Sequence, residues 1–205
     1  PLANSVNGVP GEALACFTGV YHRGPNKAVV VTSWNQFTKL FGDFSQSGGN
    51  YLPFAVYHFF ANGGTACAIA RVENTDAVGS TLTIVDKTTP SAEDILQIDA
   101  ASPGEWGNSI YIAVEGSSTS DRFNFVVYNG GTAASNIVER FVDLSVDPVD
   151  GRYAVTLINS PVAGSAYVHL TNLKDVPGWV YVAGEDNPAT LTATALANGA
   201  DGTVA

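Results

Sequence analysis

The sequence predicts a mixed α+β fold: an N-terminal α/β segment followed by a β-sandwich or a small β-barrel-like module. Three observations carry this. Val, Thr, Ile, Tyr, Phe and Gly are plentiful while helix-forming bulk is thin, a mixture that suits sheet and turns. Two segments with helical spacing of apolar residues fall within the first third of the chain. From about residue 75, short strand-like runs succeed one another between turn-formers, a spacing that suits a sandwich or barrel better than βαβ units. Of the 205 residues 45% are hydrophobic, enough for a packed core over most of the length.

Residues 1–12 are small and polar, with two Gly and two Pro, and read as an extended arm. The α/β segment covers 13–75. Ala13 to Val20 reads as a buried strand, His22 to Lys27 as a turn, and Ala28 to Thr32 as a second strand. A helix follows. Ser33 caps it, Gln36 holds the reciprocal capping-box position, and Gly42 ends it. Trp34, Phe37, Leu40 and Phe41 give it one apolar stripe. A second helix runs from about Asn50 to Asn62, with Pro53 in its first turn. Its Leu52, Phe54, Val56, Tyr57, Phe59 and Phe60 cover most of the circumference, which predicts burial on more than one side. Gly63-Gly64 stops it, and Ala66 to Val72 forms another buried strand.

Residues 76–205 form the sandwich-like module. Leu82 to Val85, Ile95 to Ile98, Ile110 to Val114 and Phe123 to Tyr128 are strand-like. Asn129-Gly130-Gly131 marks a hairpin-type turn before 136–144. Tyr153 to Asn159 suits either a strand or a short helix. Ala166 to Leu170, Gly178 to Ala183 and Leu191 to Ala195 supply further strands. Glu93-Asp94 after Ser91 fits the first turn of a short helix, where negative charge suits the dipole.

The net charge is −10 with only nine Lys plus Arg, and these are not clustered. That argues against nucleic acid, whose binding depends on clustered cations, and against an anionic membrane surface. No apolar run approaches the roughly 18 residues of a spanning helix. No basic start followed by an apolar stretch reads as a signal peptide. The chain begins at Pro1, contains no Met, and ends in the loop-like 198–205, so the sequence reads as a fragment at both ends.

Nothing in the sequence points to catalysis, a cofactor or a metal. The phosphate-binding G-x-x-x-x-G-K-[ST] loop, G-x-G-x-x-G after a strand, G-x-S-x-G and H-E-x-x-H are all absent. His22 sits in a turn and reads as exposed, whereas His58 and His169 read as core or boundary residues. Cys16 and Cys67 lie in apolar runs that predict inert burial, and a single disulfide between them stays open. Asp143, Asp147 and Asp150 cluster about a turn but lack the alternating oxygens of an EF-hand, so they read as a solvated acidic turn. Trp106, in Glu105-Trp106-Gly107-Asn108, is expected to pin its loop to the sheet. Were it exposed, it would suit a carbohydrate- or receptor-binding module instead.

Several sequence blocks go further. They are Phe17-Thr18-Gly19 with Arg23-Gly24-Pro25; Val31 to Phe37 with Phe41-Gly42; and Tyr51 to Val56 with Phe59 to Gly64 and Ala70-Arg71-Val72. Ala101 to Ile110, Val138-Glu139-Arg140-Phe141, Leu144-Ser145 and Arg152 to Ser160 continue in the same order. Together these resemble the opening of contractile phage tail sheath proteins, whose relatives serve contractile injection systems and type VI secretion. The resemblance spans about residues 17 to 160. It implies a structural subunit with no catalytic role that polymerises around an inner tube and contracts to drive it through a cell envelope. Its implied partners are copies of itself in stacked hexameric rings, the tube protein and baseplate components. The implied location is the virion tail or an injection particle, after synthesis in the bacterial cytoplasm. It also implies a subtilisin-like-topology domain and a C-terminal domain beyond residue 205, and interlocking of neighbours by strand donation.

Overall fold

The computed structural model describes residues 14–46 and 50–203. The arm expected over 1–12 lies outside them. The chain divides into two compact units, Pro1–Asp76 with Gly202–Ala205, and Ala77–Asp201.

In the first unit β1 (Ala15–Gly19), β2 (Val29–Val31), α1 (Trp34–Phe41), α2 (Leu52–Ala61) and β3 (Cys67–Arg71) follow in order. The strands make one sheet, β1-β3-β2, with β1 parallel and β2 antiparallel to β3. A parallel pair needs a long crossover, and the two helices lie within it. Ser33 caps α1 as expected, while the reciprocal bond of Gln36 falls on Thr32, one residue before the cap. The Gln36 N–H donates to Ser33 Oγ at 3.2 Å, and Gln36 Oε1 accepts from the Thr32 N–H at 2.9 Å. At the other end Gly42 takes φ 92°, a left-handed conformation that a Cβ would oppose. Tyr21, Val31, Phe37, Phe41, Val56, Cys67 and Ile69 form the core.

Three expectations for this unit need correction. α2 is not buried on more than one side: only Pro53 and Val56 are buried, while Phe54 and Tyr57 are 42% and 40% exposed. One three-stranded sheet and one neighbouring helix cover a single face of it. Cys16 is exposed, and both cysteines are free. In the register Ala15 pairs with Cys67 and Cys16 with Ala68, and adjacent residues of a strand point to opposite faces. The two thiols therefore lie on opposite sides of the sheet and cannot pair. His58 is exposed, on the uncovered side of α2.

The second unit contains β4 (Thr81–Val85), β5 (Asp94–Ala100), β6 (Ile110–Gly116), β7 (Phe123–Asn129), β8 (Ile137–Leu144), α3 (Ala154–Ile158), β9 (Val168–Asn172) and β10 (Leu191–Ala195). They form two antiparallel sheets, β4-β5-β9 and β10-β6-β7-β8. One core draws on both: Ile84, Ile95, Leu96, Ile98, Val168 and Leu170 from the first, Ile110, Ile112, Val114, Phe123, Phe125, Val127 and Leu144 from the second. Along each strand these residues alternate, as a half-buried sheet requires, except at Ile95-Leu96, where the β4–β5 register shifts. The final segment stitches the sheets together. It pairs with β4 at Thr81↔Ala197 and with the residues flanking β4 at Asp86↔Pro188 and Val78↔Ala200, and between those points it pairs with β6 as β10. No barrel closes among the described residues.

Tyr153 to Asn159 resolves as helix, α3. No helix begins after Ser91. Asp94 opens β5, and the Glu93 N–H and C=O are both bonded to Asp86, at 3.0 and 2.8 Å, which closes the β4–β5 hairpin. His169 is exposed because β9 alternates buried and exposed, and its position faces out. Gly178 to Ala183 makes no strand, since among the described residues no ladder partner lies beside it.

Candidate interaction surface

The motif residues are drawn together as scaffold. Arg23 is buried and donates from Nη2 to Thr38 O at 3.2 Å. Gly24 follows at φ 126°, where an added Cβ would sit 2.3 Å from the Phe41 ring. Arg71 donates to Tyr21 O at 3.3 Å and Gly24 O at 3.4 Å and pairs with Glu73. Blocks nearly fifty residues apart thus close on one another around the β1–β2 connection. Trp106 is 5% exposed, its Nε1 donating to Ser102 O at 3.1 Å, so it pins its 3-10 turn to the core and offers no stacking platform. Asn108 bonds the N–H and C=O of Gly199, each at 2.9 Å.

The three carboxylates of the acidic turn have partners within the fold. Asp150 accepts from Arg122 at 2.7 Å, Asp147 from the Val149 N–H at 3.1 Å, and Asp143 from Ser117. Asp150 is held below the usual Asp range chiefly by the Arg152 N–H and then, against partial burial, by Arg122. His22 is exposed as expected. Among the described residues no group of three His, Cys, Asp or Glu is placed to hold a metal ion, and no helix is long and apolar enough to cross a membrane. Spacing gave no warning of one cluster. Lys174 Nζ contacts Asp86, Asp186 at 3.1 Å and Glu93 at 3.2 Å, with Asp86 and Asp186 buried.

The surfaces of the two units differ in kind. An exposed sheet edge offers unpaired backbone to any other chain. In the second unit β4 is covered by 185–200 through bonds such as Ala189 N–H to Val85 O at 2.9 Å. Asn159 occupies the edge of β9, its amide donating to Leu170 O and accepting from the Leu170 N–H, both at 2.8 Å. Near the end of β8, Arg152 donates to the carbonyls of Val142 and Asp143. In the first unit β1 and β2 are edge strands, and among the described residues nothing is hydrogen-bonded to their outer backbone. Beside them Tyr51 is 84% exposed, and Trp34, Phe44 and Phe54 stack with centroids 4.8 and 4.6 Å apart.

Charge follows the same division. The sequence of Pro1–Asp76 carries four cations and four carboxylates, whereas Ala77–Asp201 carries five cations against fifteen carboxylates. The whole net charge therefore lies in the second unit.

This fold, an α/β unit joined to a two-sheet module, is similar to part of two sheath tail proteins. The chain is similar to the sheath tail protein Lin1278 of Listeria innocua at 16% identity and a TM-score of 0.55, over 96% of this chain and 36% of that one. It is similar also to the sheath tail protein DSY3957 of Desulfitobacterium hafniense, at 12% identity and a TM-score of 0.50, over 95% of this chain and 37% of that one. The chain thus spans little more than a third of the length of these structures. No protein-family model matches it, and neither does any curated protein.

Proposed function

We propose that the chain is part of a structural subunit of a contractile tail sheath, which polymerises around an inner tube and contracts to drive it through a cell envelope. The observation that supports this best is the contrast between the units. Among the described residues, the second unit covers β4 with its own returning segment and parts of β9 and β8 with Asn159 and Arg152, and it holds the net charge. The first leaves the outer backbone of β1 and β2 and an aromatic face open and carries no net charge. A repeating contact between identical, strongly charged molecules is least opposed where charge is absent. Open edges suit strand donation between neighbours.

On this reading the partners are copies of the same protein in stacked hexameric rings, the tube protein, and a baseplate that triggers contraction. Head-to-tail contacts that do not close propagate as a helix. Contraction draws on better subunit contacts summed over many copies, without catalysis or a cofactor. The location is the virion tail or a contractile injection particle, after synthesis in the bacterial cytoplasm. The test is electron microscopy of the sheath-length protein containing these residues, purified with and without its tube. Tubular polymers are expected, and their absence under both conditions rejects the proposal. The alternative of a carbohydrate- or receptor-binding module called for Trp106 or other aromatics exposed in a row, and the burial of Trp106 removes the first of these supports.

A further inference from the structure

The stretch Gly178 to Ala183 has the composition of a strand, yet nothing is paired with it. Trp179 and Tyr181 pack against the core of the second unit, ring centroids 6.4 Å apart, while Val180 and Val182 are 76% and 47% exposed. Alternation of this kind is what an extended chain produces. Among the described residues, the N–H and C=O of Val180 and Tyr181 and the C=O of Trp179 form no hydrogen bond. In a sheet these groups would belong to a ladder.

Both ends of the stretch are tied down. The Trp179 N–H donates to Val176 O at 3.0 Å. The Val182 N–H donates to Asp186 Oδ2 at 2.6 Å, and Lys174, at the start of the loop, holds the other oxygen of Asp186 at 3.1 Å. A backbone held in place has already lost the freedom that binding would otherwise remove. The surroundings are acidic. Asp175 and Glu185 flank the stretch, the Asp121 carboxylate lies 3.8 Å from where a Cβ on Gly184 would stand, and Lys174 is already engaged by three carboxylates.

We propose that residues 178–183 form a docking strip for an extended peptide segment bearing lysine or arginine, which adds as a strand to the free backbone of 179–182 and sets its cations against Asp175, Glu185 and Asp121. Main-chain bonds supply affinity in this mode, and the flanking charges select the partner. The inference stands on the second unit alone and survives failure of the sheath reading. A second copy of this strip is disfavoured, since antiparallel self-pairing about Val180 would set Asp175 opposite Glu185.

The test is titration of the isotope-labelled chain with a synthetic eight-residue peptide of alternating lysine and valine, followed by amide chemical shifts. A second peptide carries N-methylated backbone nitrogens, and a third has glutamate for lysine. Shifts confined to 178–186 are expected, with binding at least about tenfold weaker for both control peptides. Val180→Pro removes one free donor and should weaken binding similarly, while the shifts of β5 to β8 stay unchanged. The controls leave the protein intact, so the answer does not depend on that variant folding. Equal binding of the N-methylated peptide, shifts spread over the acidic surface, or no binding at millimolar peptide overturns the proposal. So does a dimer in sedimentation equilibrium, formed without peptide and abolished by Val180→Pro.

Discussion

The Asn159 amide lies against the backbone of Leu170, giving one hydrogen bond to its carbonyl and taking one from its N–H, both at 2.8 Å. A single side chain from the end of α3 thereby takes the place of a neighbouring strand on β9. Asn159→Ala should destabilise the second unit by about 1–3 kcal/mol, because Leu170 is left with unmatched backbone groups at a partly buried edge. Asn159→Asp keeps the acceptor and loses the donor, so it should fall between. Urea midpoints at constant slope measure this, and an unchanged midpoint for Asn159→Ala would remove the edge-closing role.

Lys174 gathers Asp86, Glu93 and Asp186, and pH should report on it. Burial pushes the Asp86 carboxyl up, but hydrogen bonds from Lys174 and from the Glu93 and Thr88 N–H groups outweigh it and hold the carboxyl below its usual 3.8. That contribution is present above pH 3.8 and is lost as pH falls through the folded value. Burial pushes the Lys174 ammonium down, yet its carboxylate partners hold it above its usual 10.5, so its contribution is lost as pH rises beyond that. Stability from the cluster should be flat between these limits.

Lys174→Met should cost about 3 kcal/mol at pH 7 by leaving buried carboxylates uncompensated. In that variant stability should instead rise as pH falls from 7 toward 4, because those carboxylates gain protons. Thermal melts across this range distinguish the two behaviours.

Gly24 stands at φ 126°, with the Phe41 ring 2.3 Å from where a Cβ would project. Gly24→Ala should destabilise the first unit by about 2–3 kcal/mol, combining backbone strain with displacement of a core ring. Hydrogen exchange of β3 amides should accelerate correspondingly, while those of β6 and β7 stay protected.

Tyr51 and Val56 lie on opposite terms with the solvent, at 84% and 0% exposure. Val56→Ala should cost about 1–3 kcal/mol in stability. Tyr51→Lys should change it by less than about 0.5 kcal/mol, yet lower the yield of tubular polymer from the sheath-length protein. Assembly unaffected by Tyr51→Lys and Phe54→Lys together would remove this face from the contact.

The thiols should differ in the same manner. Burial, and then the proximity of Cys16, push the Cys67 thiol up to about 11, and its side chain is fully covered. One thiol per chain should react with a thiol reagent under native conditions, that of Cys16, and the second only in denaturant. Two fast thiols, or none, would contradict the register of β1 and β3.

Much of this architecture was legible in the chain's own residue order. Trp34, Phe37 and Phe41 marked α1, Ser33 and Gly42 its ends, and the short apolar runs marked every strand that formed. These signals are local: spacing along the chain decides which side chains share a face, and caps satisfy backbone groups within a turn. What stayed hidden needed distant partners. Whether Cys16 faces solvent depends on β3, fifty residues away, and whether α2 is covered depends on how many elements its unit can supply. Lys174 meets Asp86 across 88 positions, and no periodicity encodes that meeting. Gly178 to Ala183 shows the division most plainly. Its composition specifies an extended chain, but a strand exists only where another backbone lies beside it, and only the folded molecule could show that its own described residues supply none.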